Sequence, residues 1–157
     1  MGLGARLQLP SFAHRILLRW FIKKYNVDLS ESEGTVDDFS SLSEFFVRRL
    51  KPGVRLVDDA ESILVSPADA KAHTFGRIEN GMFMQADGRP ASVAALVGED
   101  HADRFEGGEY AVLYLAPPDY HRVHSPAAGA LQALDYRPGT LWPVFPAASR
   151  KVDELFG

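Results

Sequence analysis

Two histidines lie three residues apart in a short segment that also carries an aspartate, a tyrosine and an arginine. The histidines are His121 and His124, and the segment at positions 117–126 reads Pro-Pro-Asp-Tyr-His-Arg-Val-His-Ser-Pro. Imidazole is the side chain whose ordinary pKa suits proton transfer near neutral pH. An extended backbone would turn the two rings to opposite faces, whereas a helical turn would put them on one face. This segment is the first candidate for chemistry in the chain.

A carboxylate that could act with these histidines is Asp69, in the sequence Ser-Pro-Ala-Asp-Ala at positions 66–70. A carboxylate–imidazole pair can serve as a general base, because the carboxylate fixes the tautomer of the ring. Two histidines and a carboxylate can also bind a metal ion. A hydrogen-bonded polar cluster with no reaction is the third alternative, and the residues alone favour it over the other two. A serine hydrolase is disfavoured, because Gly-x-Ser-x-Gly does not occur and Ser125 is fixed beside His124.

Composition narrows the class of protein. The chain has 157 residues and no cysteine, which excludes disulfides, thiolate nucleophiles and cysteine-ligated zinc. Residues 1–27 carry five basic and no acidic side chains, whereas the rest carries 12 basic and 21 acidic ones. An acidic body argues against nucleic acid as a partner. A basic arm on such a body predicts contact with an anionic membrane surface.

The elements that must position these residues begin with a helix predicted over Phe12–Tyr25. Arg15, Arg19 and Lys23 fall on one stripe of this helix, and most of the remaining circumference is apolar. The helix either packs on the domain core or lies in a membrane interface, and the sequence does not separate the two. The Ile16–Ile22 stretch is interrupted by Arg19 and is too short to span a bilayer. We assign residues 1–40 to a membrane-facing helix and a linker, the linker covering 28–40.

The remainder, residues 41–157, is predicted to be a β-rich domain portion. Ser41 and Ser43 can cap a short helix over Glu44–Leu50, with Phe45, Phe46 and Leu50 toward the core. Short β-type runs follow, and a helical turn is predicted at 92–96; the predicted strands are 62–65, 73–79, 82–86, 110–115 and 130–136. The predicted fold class is α+β and mainly β, a sandwich or partial barrel with helices at the N-terminus.

Several of these segments resemble motifs of the phosphatidylserine decarboxylases, in the order and at about the spacing of that family. The specific one is Asp-Tyr-His-Arg-Val-His-Ser-Pro at 119–126; Phe-Phe-Val-Arg-Arg-Leu at 45–50 and Ser-Pro-Ala-Asp at 66–69 accompany it. Segments 76–96 and 138–144 (beginning Pro-Gly-Thr-Leu) are also similar to the family. The resemblance covers roughly residues 12–150.

The resemblance implies a self-processing enzyme that cuts itself at a Gly-Ser bond and converts the serine into a covalent pyruvoyl group. That group condenses with the amine of phosphatidylserine and accepts the electrons released as carbon dioxide leaves, which gives phosphatidylethanolamine. By resemblance, His124 is the base that activates the serine, and Asp69 orients His124. His121 matches the histidine expected to act at the decarboxylation step.

Two departures from the family pattern affect these expectations. Ala70 stands where the family usually has glycine after the aspartate, which would cost about 1 kcal/mol if that position requires a positive φ. None of the serines is preceded by glycine, and the Leu-Gly-Ser-Thr cleavage segment does not occur. The chain is therefore expected to be an N-terminal portion, inactive alone, which needs a complementary C-terminal (α) chain.

The expected place of the protein is the cytoplasmic face of the cell membrane, as a peripheral protein, and a homodimer is compatible with the resemblance. Two alternatives stay open at this point. One is a noncatalytic relative that binds membrane or pairs with another subunit. The other is a metal-dependent enzyme that uses His121 and His124.

Overall fold

A computed structural model describes residues 11–136 of the chain; the resembling segment 138–144 and the basic residue Arg6 lie outside them. The chain divides into two compact units. In the described part, the first unit comprises residues 11–70 and 115–136, and the second comprises 71–114. All three residues singled out for chemistry belong to the first unit.

The first helix, α1, runs from Ser11 to Tyr25 and confirms the predicted helix. One of its faces carries Leu18 and Phe21, which are buried in the core of the first unit. The chain leaves the helix at Asn26, which has a positive φ of 51°. Asparagine tolerates this left-handed conformation better than most residues, and the Val27 amide donates back to the Ile22 carbonyl at 3.0 Å.

The second helix, α2, is shorter than predicted and runs from Leu42 to Phe46. The predicted serine cap is confirmed, because the Ser41 hydroxyl accepts the Glu44 amide at 3.1 Å. The Glu44 carboxylate reaches back to the Ser40 amide at 2.6 Å. The helix ends at Phe46 rather than at Leu50, because the backbone leaves the helical conformation at Val47, which has φ -98° and ψ 26°.

An aromatic core joins the two helices. Phe45 is fully buried and Phe46 is 8% exposed, as predicted, whereas Leu50 is only half-buried. The ring of Phe21 lies edge to face against both phenylalanines of α2, with centroids 6.0 and 5.3 Å apart. Such pairs add about 0.5–1.5 kcal/mol to the burial of each ring. This packing fixes α2 against α1, and with it the start of the segment that follows α2.

The segment between the helices, predicted as a linker, packs against this core. It contains a 3-10 helix, Val36–Asp38, and Leu29, Val36 and Phe39 lie partly buried on the aromatic cluster. Thr35 and Asp38 form a reciprocal cap at its start, with the Thr35 amide 2.7 Å from the Asp38 carboxylate.

The second unit contains the regular strands, in two antiparallel pairs. β1 (Lys71–Arg77) pairs with β4 (Glu109–Tyr114), and β2 (Met82–Met84) pairs with β3 (Pro90–Ser92). Two short helices, α3 (Val93–Val97) and α4 (Glu99–Ala102), and a 3-10 turn at Asp103–Phe105 connect β3 to β4. The predictions at 73–79, 82–86, 92–96 and 110–115 are confirmed with shifted ends. β3 was not predicted, because its proline disfavours a strand.

Two predicted strands, at 62–65 and 130–136, are wrong for the chain as the structure describes it. Neither segment forms a ladder; the Val65 amide makes one backbone hydrogen bond, to the Pro126 carbonyl at 3.0 Å. A strand needs a partner along its length, and an apolar β-type pattern does not supply one. Within residues 11–136 the fold is mixed helix and strand with small open sheets, so the described chain forms no barrel.

Candidate active site

A proline-bounded turn shapes the start of the histidine segment. Pro117 and Pro118 occupy the turn, the Asp119 amide donates to the Ala116 carbonyl at 2.9 Å, and the Asp119 carboxylate accepts the Ala116 amide at 2.6 Å. The fixed φ of each proline restricts the backbone here, and the Asp119 carboxylate closes the turn by accepting the Ala116 amide. The turn holds the backbone from which His121 and His124 project.

His121 is half-buried and has one defined proton position. Its Nδ1 lies 2.9 Å from the Asp119 carbonyl oxygen. A carbonyl can only accept, so Nδ1 carries the proton of this hydrogen bond. In the neutral ring Nε2 is then left as the acceptor. The ring stands edge to face on Phe46 with centroids 4.7 Å apart, which fixes its orientation.

His124 is exposed and contacts a tyrosine of its own segment. Its Nε2 lies 2.9 Å from the Tyr120 hydroxyl, and the two rings stack with centroids 5.5 Å apart. Its backbone amide donates to the Pro67 carbonyl at 2.7 Å. This last bond joins the histidine segment to the segment that carries Asp69.

Asp69 is held by an arginine that the sequence analysis did not single out. The Arg55 Nε lies 3.1 and 2.9 Å from the two Asp69 carboxylate oxygens, and Nη2 lies 2.6 Å from one of them. The same guanidinium binds both oxygens of Glu31, at 3.0 and 2.8 Å. Hydrogen bonds to Glu31 and Asp69 raise the pKa of Arg55, and the bond from Arg55 lowers the pKa of Glu31.

Asp69 and His124 line the same cavity of about 770 Å³, and Tyr120 and Arg55 also line it. Within residues 11–136, the side chains of Asp69 and His124 bond to Arg55 and Tyr120 respectively rather than to each other. The structure therefore brings the two residues to one surface without pairing them. His121 is not part of this wall; it contacts α2 instead.

Arg48 is a further residue that the sequence analysis did not recognise, since an amphipathic pattern predicts an exposed arginine. It is only 5% exposed, and its Nη2 donates to the carbonyls of Pro118 and Asp119 at 3.0 and 3.3 Å. The signal was its spacing of three residues from the buried Phe45, which places Arg48 on the same side as Phe45 if the helical turn continues.

Ala70 does not adopt the conformation that would penalise it. Among the described residues the non-glycine positions with positive φ are Asn26 and Asn80. Alanine therefore fits the backbone after Asp69, and the expected strain of about 1 kcal/mol does not arise. Across residues 11–136 there is also no cluster of three or more His, Asp or Glu side chains placed to hold a metal ion.

Comparison with known proteins gives the family. The family model for phosphatidylserine decarboxylase matches residues 42–157. The phosphatidylserine decarboxylase proenzyme of Myxococcus xanthus is 39% identical over 157 residues, covering 99% of this chain and 56% of that protein. The proenzyme of Shewanella amazonensis is 43% identical over 148 residues, covering 92% and 52%.

The chain spans about half the length of these curated relatives. The matched region includes α2 and the segments that carry Asp69, His121 and His124. On the family model and the relatives together, this chain belongs to the phosphatidylserine decarboxylase family.

Proposed function

We propose that this chain is the N-terminal part of a self-processing phosphatidylserine decarboxylase, completed by a C-terminal segment that carries a Gly-Ser bond. The observation that supports it most is the shared cavity wall of Asp69 and His124, in a chain of this family. The complete protein would convert phosphatidylserine into phosphatidylethanolamine and carbon dioxide.

His124 is proposed to take the proton from the serine hydroxyl, because a serine at neutral pH needs a base to attack a peptide carbonyl. The Tyr120 hydroxyl at 2.9 Å marks the position of a hydroxyl group beside Nε2. An incoming serine would take that position. The exposed ring and the cavity beside it leave room for the segment that carries the serine.

Asp69 is proposed to orient His124 through the other ring nitrogen. Its carboxylate has two oxygens with about four lone-pair sites, so it can keep Arg55 while it turns toward the ring. Arg55 would then keep the Asp69 carboxylate in place through its charged hydrogen bonds.

The pyruvoyl group of the complete enzyme would supply the electron sink for the departing carboxylate. No residue of this chain provides that chemistry. The contribution proposed for His121 is proton transfer at Nε2, which is the acceptor nitrogen of its neutral ring.

A fusion tests this proposal. The chain is joined to the C-terminal part of the Myxococcus xanthus proenzyme, and the precursor should split into two chains with the shorter one blocked at its N-terminus. The unfused chain should neither cleave itself nor release carbon dioxide from phosphatidylserine. Labelled lipid and electrophoresis measure both, and carbon dioxide release by the unfused chain above a buffer blank would contradict the proposal.

Three variants of the fusion assign the roles. His124→Ala should leave the precursor uncleaved, and Asp69→Asn should slow cleavage severely, because asparagine can favour the wrong tautomer. His121→Ala should cleave but turn over lipid poorly, since its role follows cleavage. Cleavage of His124→Ala at the normal rate would contradict the assignment and favour a metal-binding or purely structural role of the histidine.

We also propose that α1 attaches the protein peripherally to an anionic membrane, at the cytoplasmic face. Beside its buried face the helix exposes a second apolar stripe, Phe12, Ile16 and Trp20, at 69%, 66% and 52% exposure. Arg19 and Lys23 are exposed on the adjoining stripe. Such an arrangement suits a helix lying in the headgroup region. Among the described residues no helix is long and apolar enough to cross a bilayer.

Vesicle sedimentation checks the attachment. The chain should bind phosphatidylserine vesicles better than phosphatidylcholine vesicles, and salt should weaken binding, since each basic residue contributes about 1 kcal/mol near the surface. Ile16→Gln with Trp20→Gln should reduce binding to both lipids. Leu56→Gln, at a 98% exposed apolar residue away from the helix, is the matched control. Equal binding to both lipids, or to neither, would leave core packing as the only role of α1.

The complementary C-terminal chain is the proposed strand partner of segments 62–65 and 130–136, which form no β-ladder with other described residues. The sandwich or partial barrel predicted from the sequence would then arise when strands of that chain pair with residues 62–65 and 130–136. Their exposed apolar side chains include Leu64, Leu131 and Leu134, at 76%, 81% and 81% exposure.

A further inference from the structure

A buried guanidinium underlies the histidine segment. Arg48 is 5% exposed, and its Cζ lies 5.1 Å from the centroid of the Phe45 ring. Burial lowers the pKa of Arg48, and the carboxylate of Asp119 opposes that shift most among its neighbours. A buried arginine is costly unless its donors are used. What its donors bind is therefore informative.

The Nη2 group of Arg48 binds two successive carbonyls, those of Pro118 and Asp119. The Asp119 carbonyl is also the acceptor for His121 Nδ1, at 2.9 Å. One oxygen thus receives hydrogen bonds from Arg48 and from His121, which a carbonyl with two lone pairs can accommodate. The position of this oxygen decides where the His121 proton lies.

Neighbouring residues of the two segments are in contact around this point. The Phe46 ring supports the His121 ring edge to face, and the Val47 carbonyl accepts Arg122 Nε at 2.7 Å. Three consecutive residues, the last of α2 and the two that follow it, therefore contact the histidine segment. Of these residues, Arg48 is the one that binds the Asp119 carbonyl, which also accepts the proton of His121 Nδ1.

Stability alone does not account for Arg48. Its Nε and Nη1 are buried and find no hydrogen-bond partner within residues 11–136. Leaving buried donors unpaired costs free energy, so an apolar side chain would suit the site better if only packing mattered.

We propose that Arg48 is a positioning residue for His121: by fixing the Asp119 carbonyl it keeps the His121 proton on Nδ1 and Nε2 as the acceptor. The use of that acceptor in decarboxylation rests on the proposed function, whereas the proton position does not. Lysine is a poor substitute, because its ammonium is a compact point charge without the planar geometry of a guanidinium.

Heteronuclear NMR of the imidazole nitrogens in the full chain tests the proposal without any activity. The neutral His121 ring should carry its proton on Nδ1 in the unmodified chain, and Arg48→Met should give a mixture of both tautomers. Arg48→Lys should fall between them. Arg49→Met removes the adjacent, exposed arginine and should leave the His121 signals unchanged.

Two results of the NMR measurement would overturn the proposal. An Nε2-protonated ring in the unmodified chain overturns it, even if no variant folds. A folded Arg48→Met or Arg48→Lys chain that keeps the single Nδ1 tautomer also overturns it.

In the fusion, Arg48→Lys should still cleave but lose turnover about 100-fold in kcat with little change in KM, as for a misplaced catalytic group. Equal losses in cleavage and turnover would indicate a general structural role and contradict the proposal. If the unmodified fusion neither cleaves nor turns over lipid, the proposed function fails, while the tautomer measurement still decides the role of Arg48.

Discussion

The two histidines, although only three residues apart, have different surroundings. His121 has its proton fixed by the Asp119 carbonyl and its ring plane fixed by Phe46. His124 is exposed and bonds a hydroxyl, which can donate or accept. A residue with a defined proton position suits a repeated proton transfer, whereas an exposed ring suits an encounter with an incoming segment. Separate roles for the two rings stay a proposal, which the variants of the fusion test.

The backbone conformation of Ala70, the residue after Asp69, leads to a prediction about processing and stability. Because Ala70 has an ordinary φ, Ala70→Gly should not speed processing of the fusion. It should lower the free energy of unfolding by about 0.5–1 kcal/mol, since glycine loses more chain entropy on folding. Asn26→Gly is the control: at a φ of 51° glycine carries no steric penalty, so stability should change little. Denaturant unfolding measures both, and faster processing of Ala70→Gly would show that alanine distorts the turn.

At the level of structural elements, the guanidinium of Arg55 connects its own segment to two other segments of the first unit. Arg55 links Glu31, in the segment between the helices, to Asp69, in the turn before β1. The bonds to both carboxylates are short, but the side chains are partly exposed, so water screens the pair. The network positions Asp69 more than it stabilises the fold.

The acid dependence of this network is testable with Glu31→Gln. Arg55 lowers the pKa of Glu31, while the carboxylates of Asp28 and Asp69 oppose that shift more weakly. The contribution to stability is therefore complete above the unfolded pKa, about 4.3. It is lost as the pH falls through the lower, folded value. The midpoint of thermal unfolding of the unmodified chain should exceed that of the variant near neutral pH, and the difference should shrink below about pH 4.

Glu33→Gln is the matched control, because Glu33 lies two residues from Glu31 and is not among the partners of Arg55. Its unfolding midpoint should follow that of the unmodified chain at all pH values. A difference between the unmodified chain and Glu31→Gln that grows on acidification would contradict the assigned network.

For the whole molecule, the distribution of apolar surface is the main feature. Several large apolar side chains of the first unit are exposed, at 98% for Leu56, 81% for Leu131 and 80% for Tyr136. Large exposed apolar side chains, where they form a contiguous surface, mark interaction sites in stably folded proteins. The relatives are about twice as long, and their additional length is the proposed cover.

A dye that binds exposed apolar surface tests whether the C-terminal part covers these side chains. The unfused chain should bind anilinonaphthalene sulfonate more strongly than the folded fusion, because the fusion buries Leu131 and Leu134. Leu131→Gln with Leu134→Gln should lower dye binding of the unfused chain and weaken assembly of the fusion. Equal dye fluorescence of the chain and the fusion would show that the C-terminal part does not cover this surface.

The sequence by itself determined the features that depend on near neighbours. The helix over Phe12–Tyr25 follows from its periodicity, and the Ser41 cap follows from a hydroxyl three residues before an amide it can bind. The motifs at 66–69 and 119–126 were sufficient for the family. These features could be predicted because the interacting groups lie within a few residues of one another.

Only the tertiary structure decided which distant groups meet. Arg55 binds Asp69 from 14 positions away, and Arg48 reaches the Asp119 carbonyl from 71 positions away. The Tyr120 hydroxyl lies within hydrogen-bond distance of His124 Nε2. The two residues are only four positions apart, but this contact depends on the backbone after the proline turn, which stacks the two rings. The patterns at 62–65 and 130–136 predicted strands, yet a strand exists only where another strand pairs with it. Local propensity is encoded in neighbouring residues, whereas pairing depends on where the whole chain brings its segments together.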